Sequence, residues 1–563
     1  IIMIVGGILG IMFVAMLRRV MVRDPDLAFP ESVAAAEIHK AGRSTGGGST
    51  FLFSAMGVGA AIKLLAELKL FAVAWEKMVV LGRQVIAGSR FSGEGGLFLG
   101  SFGVKPAYFG VGYIIGPKLG ALTFSGGMIS WGLLTPVILY FMGPNLVVPE
   151  TGVSPATAAE WLAVAKNVFQ SIVKPIAIGG MLVGAVYTLF RMRKSLTEGI
   201  ARSVADVKKA AAGSGEEVER IERDLKFPLV VAGIAGVAVA TFAIMTFIFK
   251  APVLTSLVAS ALMTILAFFF AAVSGYLVGI IGSSNNPVSG LTLTTLVVTA
   301  LVLVVLGIGK GDGAIMAVLG VAAIVCVAAA VAGEMLQDLK SGHILGGTPW
   351  KMEVGNIIGV IASGAVMFAV LAVLHQGDVA RGAIEGYAGG FGSEELPAPQ
   401  AGLMALLAKG IVGGEMAWPL IIVGIFMGFG FILAGIKSPM LISVGMYLPF
   451  TTTFAIFMGG IIKGIQERIA ARKGHNEAQK ARSENTGVLL ASGFIAGEAL
   501  MGLVLAVFAI FNIFLFKYFS FFKDPSFLIS IPVTLFIGWI LIYYPLKNAG
   551  SPDQPLPPGA GGH

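Results

Sequence analysis

Three glutamates stand where an apolar chain should carry no charge. Glu94 and Glu415 each follow a glycine (Gly93-Glu94, Gly414-Glu415), Glu498 follows Gly497, and all three lie in or beside apolar sequence. An unpaired charge in hydrocarbon is costly, so such a carboxylate faces a cavity or an opposite charge. Burial favours the neutral acid, which lets the group bind and release a proton in a working cycle. The alternative is a paired, structural role, for which Lys63, Lys105 and Lys409 are available. Glu67 follows Lys63 by four residues, and the two are expected to pair along one helix face.

Two polar inserts interrupt the apolar sequence. The first is "GSSNNPVSG" at 282–290. Pro287 removes a backbone donor and breaks a helix. Non-helical chain survives at membrane depth only if it is buried in protein or lines a wet cavity. Ser284, Asn285, Asn286 and Ser289 are therefore candidate solute contacts beside a broken helix. A polar connection between helices at the membrane surface would use the same residue types. The second insert, "GEMLQDLKSGHILGGTPWKMEVGN" at 333–356, holds Asp338 and His343. It reads as an ordinary loop or as a gate, with His343 the group whose ordinary titration lies near neutrality. Tyr113 directly follows Gly112, and Tyr447 lies two residues after Gly445, so each could offer a hydroxyl to a solute.

Enzyme chemistry finds little footing. "GRSTG" at 42–46 fits G-x-S-x-G in form but lies in a polar stretch with no strand before it. There is no H-E-x-x-H and no phosphate-cradling P-loop. The five histidines are too scattered for a metal site, and no cofactor is implied. With no nucleotide fuel visible, an ion gradient is the expected driver. The single cysteine, Cys326, reads as a packed thiol.

The elements that must hold these residues are membrane helices. Of 563 residues, 56% are hydrophobic and 12% charged, against about 25% charged in a typical soluble domain. Apolar runs long enough to span a bilayer recur along the chain. The expected spans lie near 1–17, 49–75, 95–116, 119–143, 165–190, 228–249, 252–281, 288–308, 313–336, 354–375, 401–436 (a broken pair), 439–462, 487–516 and 525–544. The fold class is all-α and polytopic, with roughly 13–16 transmembrane segments, some broken or re-entrant. The net charge of +8 belongs to loops and gives no case for nucleic acid. Segments 191–227, with nine Lys/Arg, and 461–485, with six, should be cytoplasmic, and the poorly basic 144–165 and 376–400 should face outward.

The chain thus divides into a first membrane half (1–190), a charged cytoplasmic loop (191–227), and central helices with both polar inserts (228–375). An extracytoplasmic loop (376–400), a second, repeat-containing half (401–546) and a disordered tail (547–563) follow. It opens "IIMIVGGILG", already inside an apolar segment, so earlier N-terminal helices are expected to precede it.

An internal repeat runs through both halves. "PAYFGVGYIIGPKLGALTFSGG" (106–127) and "PMLISVGMYLPFTTTFAIFMGG" (439–460) agree at Pro106/Pro439, Gly112/Gly445, Phe124/Phe457, Gly126/Gly459 and Gly127/Gly460, at one offset of 333 residues (439 − 106). "GGMLVGAVYTLF" (179–190) resembles "GEALMGLVLAVF" (497–508). The linker after the first block carries no net charge and that after the second is basic, so the two copies are expected to cross in opposite senses, as in secondary transporters with inverted repeats.

Taken together, "GSSNNPVSG", "DLKSGHILGGTPWKMEVG", "GVGYIIGPKLG" and "FPESVAAAEIHKAG" resemble the oligopeptide transporter (OPT) superfamily in its prokaryotic and yellow stripe-like branch. Phe29-Pro30-Glu31-Ser32 stands where that family more often has Tyr-Pro-Glu-Gly. The resemblance implies proton-coupled uptake of small peptides, or of peptide-like metal chelates, across the cytoplasmic (inner) membrane. It also implies about sixteen membrane segments in the complete protein and a homodimer. A passive channel for polar solutes and, further off, an intramembrane enzyme are the competing classes.

Overall fold

A long apolar run in lipid must satisfy its backbone internally, and the helix does so within one segment. Eleven helices among the described residues are long and apolar enough to cross a membrane. The computed structural model describes residues 1–24, 48–85, 92–148, 152–191, 219–281, 288–307, 311–393, 395–414, 417–436 and 438–554, with Leu27, Phe29, Ser32, Ala36, Ser283 and Asn286. The elements are α1 (Ile2–Arg23), α2 (Gly48–Glu67), the hairpin β1 (Glu76–Val85) and β2 (Ser92–Gly100), α3 (Pro106–Gly127), α4 (Thr135–Met142), α5 (Ala158–Val168) and α6 (Lys174–Arg191). They continue with α7 (Phe227–Ala243), α8 (Val253–Ile281), α9 (Val288–Val305), α10 (Asp312–Ile344), α11 (Pro349–Glu385), α12 (Pro399–Gly413) and α13 (Trp418–Leu433). The chain closes with α14 (Pro439–Tyr447), α15 (Phe450–Arg472), α16 (Glu477–Ile510), a short α17 (Leu515–Tyr518) and α18 (Ser530–Lys547).

Several boundaries differ from the sequence expectation. The two spans placed at 95–116 and 119–143 are instead β2 followed by one helical run. In that run α3 and α4 are joined by a π-helical turn at Met128–Leu134. A second π turn, Phe169–Val173, joins α5 to α6, and a third, Ile244–Ile248, follows α7. The insert at 333–356 is mostly helix: α10 runs on to Ile344 and α11 starts at Pro349. The tail is ordered through its first residues, because Arg482 donates to the carbonyls of Ala549 (2.7 Å), Ser551 (2.8 Å) and Gln554 (2.8 Å). The remainder of that tail and most of the 191–227 loop lie outside the described residues.

The repeat is visible as a set of exchanged contacts. α3 breaks at Gly116, whose φ of +82° favours glycine, just before Pro117. The second copy breaks at the matching place, where α14 ends and α15 begins across Leu448–Pro449. α3 packs antiparallel on α14 and α15 with glycines at the seam. A methyl added to Gly112 would lie 1.9 Å from the Ile456 carbonyl oxygen, and one on Gly445 would lie 1.9 Å from that of Thr123. The same offset of 333 converts each contact into the other (456 − 333 = 123). Gly459 against Phe109 O (2.2 Å) and Gly126 against Ile442 O (2.0 Å) form a second such pair. The outer helices exchange partners as well, at offsets of their own (497 − 179 = 318 and 421 − 56 = 365). Gly179 of α6 meets Ile421 O of α13 at 2.1 Å, while Gly497 of α16 meets Met56 O of α2 at 2.0 Å. Contacts that exchange partners in this way define a local two-fold axis, and their antiparallel course makes the repeat inverted.

Candidate functional site

A cavity of about 530 Å³ opens at the Leu448–Pro449 break. Five charged side chains line it: Lys105, Lys166, Lys174, Glu76 and Glu395. Each is placed by a different element. Lys105 precedes α3, where Pro106 starts the helix, and its Nζ lies 3.2 Å from Glu395 Oε2. The Lys105 ammonium holds the Glu395 carboxyl down to about 2, against the effect of burial. Burial alone would weaken the charge on Lys105; Glu395 and Tyr108 overcome it and raise its pKa. Lys166, at the end of α5, pairs with Glu76 at the start of β1 at 3.2 Å. Lys174 opens α6, its ammonium 5.5 Å from the Phe169 ring centre and 5.0 Å from that of Tyr447, within cation–π range.

The floor is aromatic. Trp131 stacks on Phe169 with ring centres 4.5 Å apart and meets Phe98 of β2 at a tilt, also at 4.5 Å. Both Trp131 and Phe169 lie in π turns, which present side chains out of ordinary helical phase and recur at functional sites. Trp131 Nε1 is buried and has no hydrogen-bond partner among the described residues. Asp378 of α11 fixes the loop that carries Glu395, accepting hydrogen bonds from Tyr387 Oη (2.9 Å), the Gly390 backbone N–H (2.7 Å) and Ser393 Oγ (2.8 Å). The cavity therefore offers both signs of charge and aromatic faces within a volume suited to a small ligand.

Behind Lys105 the charge continues into a smaller space of about 80 Å³, shared by Lys63, Glu67, Arg381, Glu395 and Glu498. Glu498 is buried and accepts the Ala107 backbone N–H at 2.7 Å, so its carboxylate sits at the positive end of α3. Glu67 pairs with Arg381 of α11 at 2.8 Å, and Arg381 also holds Glu385 at 3.1 Å. The expected Lys63–Glu67 pair is thus replaced. Glu67 ends α2 facing α11, and Lys63 turns toward Lys105, Glu395 and Glu498.

Of the residues singled out in sequence, the structure brings Tyr447 into the large cavity and Glu498 beside it. Tyr113 is elsewhere, buried against Gly487 of α16. Glu94 lies in β2, half-buried, its carbonyl oxygen packed on Gly143. The helix is interrupted between Ile281 and Val288 as expected, and Asn286 Nδ2 donates to Ser274 Oγ of α8 at 2.7 Å. Asn286 faces protein there, away from the large cavity; Ser289 sits half-buried in the first turn of α9. Ser284, Asn285 and Glu415 lie outside the described residues. Asp338 is exposed on α10, and His343 Nδ1 stands 4.0 Å from Glu222 Oε1. His343 thereby joins a separate charged cluster in which buried Arg18 holds Glu222 and Asp224. Sequence reasoning missed Lys166, Gln170 and Lys174. Their recurrence at every fourth position, against an apolar background, is the signal that could have found them.

Comparison with known proteins bears on what such a bundle does. The family model described as "OPT oligopeptide transporter protein" matches residues 1–509. A "Putative oligopeptide transporter" of Haemophilus influenzae is 31% identical over 535 residues, which cover 89% of this chain and 79% of that protein. A "Probable metal-nicotianamine transporter YSL11" of Oryza sativa subsp. japonica is 24% identical over 437 residues, covering 73% of this chain and 57% of the rice protein. A "Probable metal-nicotianamine transporter YSL5" of Arabidopsis thaliana is 25% identical over 217 residues, 36% of this chain and 28% of that protein. These matches, together with eleven membrane-length apolar helices among the described residues, show a multi-pass membrane transporter rather than an enzyme: the chain belongs to the OPT oligopeptide transporter family.

Proposed function

We propose that this chain imports small peptides, or metal chelates that resemble them, across the cytoplasmic membrane, and that protons drive the uptake. The observation that carries the reading is the 530 Å³ cavity lined by both ammonium and carboxylate groups. A peptide zwitterion and a carboxylate-rich chelate both need that pairing of charges. Lys174 would take the carboxylate end and Glu395 the amine, with Tyr447 and Trp131 against the body of the substrate and the Lys166–Glu76 pair on the cavity wall. The metal in a chelate is cargo, held by the chelator. The names of the bacterial and plant relatives support the two substrate classes.

Glu498 is the coupling group of this proposal. It lines the same small space as the Lys105–Glu395 and Glu67–Arg381 pairs, and its charge acts on Lys105. Glu94, Glu415, Asp338 and His343 are the further coupling or gating candidates. Ser284, Asn285, Asn286 and Ser289 remain the candidates for a second polar contact with the solute. The basic segments 191–227 and 461–485 would face the cytoplasm.

The test is uptake into proteoliposomes under an imposed pH gradient, with labelled di- to hexapeptides and ferric chelates. Glu498→Gln should lose uphill accumulation while retaining binding and exchange. Accumulation with normal pH dependence in Glu498→Gln would remove that residue from the mechanism, and downhill flux alone in the native protein would make it a channel.

A further inference from the structure

The local two-fold axis relates the open cavity to a second place that is filled in this conformation. Leu448 and Pro449, at the cavity, correspond to Ile115 and Gly116 at the break in α3. Lys166 and Phe169, on the opposite wall, correspond to Glu484 and Gly487 of α16 at the offset of the outer helices (497 − 179 = 318). The corresponding residues do lie together. A methyl on Gly487 would fall 2.3 Å from Tyr113 Oη, and one on Gly116 would fall 3.8 Å from the Lys463 side chain. Lys463 Nζ in turn donates to Glu484 Oε1 at 2.9 Å, with Glu467 Oε1 at 3.9 Å. Tyr113 Oη is buried there without a hydrogen-bond partner among the described residues, a polar group that a wet neighbour would satisfy. Lys463 lies thirteen residues along α15 from Phe450, so this place is about 20 Å from the open cavity along the helix axis.

Two copies of one motif, packed by exchanged contacts, can trade conformations at little net change in energy, because each state repeats the other with the copies interchanged. The breaks at Gly116 and at Leu448–Pro449 supply a hinge in each copy. We propose that Lys463, Glu484 and Tyr113 line a second vestibule of the same pathway, closed here, and that separation of Lys463 from Glu484 opens it when the first cavity shuts. Only 13% of the Lys463 side chain is exposed, against 50% of Glu484. One partly solvated pair is a weak clasp, as a closure that must part in every cycle requires. The proposal goes beyond the substrate reading and rests only on the cavity being one mouth of a transport route.

Two measurements test it, both in a Cys326→Ser background. In Lys463→Cys/Glu484→Cys, a reversible thiosulfonate cross-linker should lower uptake at least tenfold and reduction should restore it, with substrate binding changed less than twofold. Full uptake by the bridged protein, or binding lost with uptake, overturns the proposal. The second measurement needs no substrate, so it stands apart from the substrate reading. Ile115→Cys should react severalfold faster with a membrane-impermeant thiol reagent once Lys463→Met is added. Equal rates with and without Lys463→Met overturn the proposal.

Discussion

Gly112→Ala and Gly445→Ala should destabilise the protein by the same amount, because each methyl meets the two-fold mate of the other's obstacle. In both cases the obstacle is a helix backbone carbonyl 1.9 Å away, whereas ordinary contact begins at 3.4 Å. The helices would have to part by about 1.5 Å at the seam (3.4 − 1.9), and backbone cannot yield by changing rotamer. Overpacking of this kind costs about 1–3 kcal/mol. Alanine returns about 0.5–1 kcal/mol of helix propensity, which leaves a net loss of about 1–2 kcal/mol for each variant. Gly57→Ala is the control: it lies within α2 with nothing within 4 Å of the new methyl, so it should be neutral or slightly stabilising. Thermal unfolding in detergent, followed by tryptophan fluorescence, measures all three. If Gly112→Ala and Gly445→Ala melt with Gly57→Ala, the close seam is wrong. If only one of them falls, the seam is right and its symmetry is wrong.

Glu395, whose carboxyl is held down to about 2, should contribute stability that is complete above its ordinary pKa of 4.5 and is lost as pH falls toward 2. Because 46% of the side chain is exposed, screening reduces the contribution to about 1 kcal/mol. The stability gap between native protein and Glu395→Gln should narrow from pH 6 to pH 3, and a constant gap would refute the pairing. Arg381→Met leaves Glu67, only 5% exposed, without its partner and should cost about 3 kcal/mol, read as a lower unfolding midpoint; restoration by Glu67→Gln in the same chain checks the cause. Cysteines introduced at Ala205 and His475, again without Cys326, should resist impermeant reagent applied outside intact cells, and strong labelling of both would reverse the orientation drawn from loop charge.

The break after α8 was legible because a proline among Ser and Asn inside an apolar run has few other uses; the break at Leu448–Pro449 was not, since 439–462 reads as one apolar span. The repeat was legible because its glycines are fixed by close backbone approach, which leaves no substitute side chain. Glu498 could be found as a lone charge, but its role at the N-terminus of α3 could not, since Ala107 is distant in sequence. The hairpin was missed because "EKMVVLGRQV" and "GEGGLFLG" are short runs beside membrane spans: the first was left between spans and most of the second was absorbed into the expected span 95–116. Lys166 and Lys174 were passed over because isolated lysines near helix ends ordinarily reach for the membrane surface. Only the folded chain shows their ammonium groups turned to a shared space.

The wide turns at Met128–Leu134 and Phe169–Val173 carry a consequence for how this lineage can change. An ordinary helix has no slack: losing one residue rotates everything beyond it by about 100°. A π turn already stores one surplus residue, and removing it restores regular winding while the flanking segments keep their facing. Length can therefore be gained or lost at these two positions without re-registering α3 against α15 or α6 against α13. Since Trp131 and Phe169 ride on those same turns, single-residue insertions and deletions there would reshape the aromatic floor and leave the gearing between the repeats intact. If the cavity holds the cargo as proposed, such indels would alter its fit in a way that point substitution at the glycine seams does not offer.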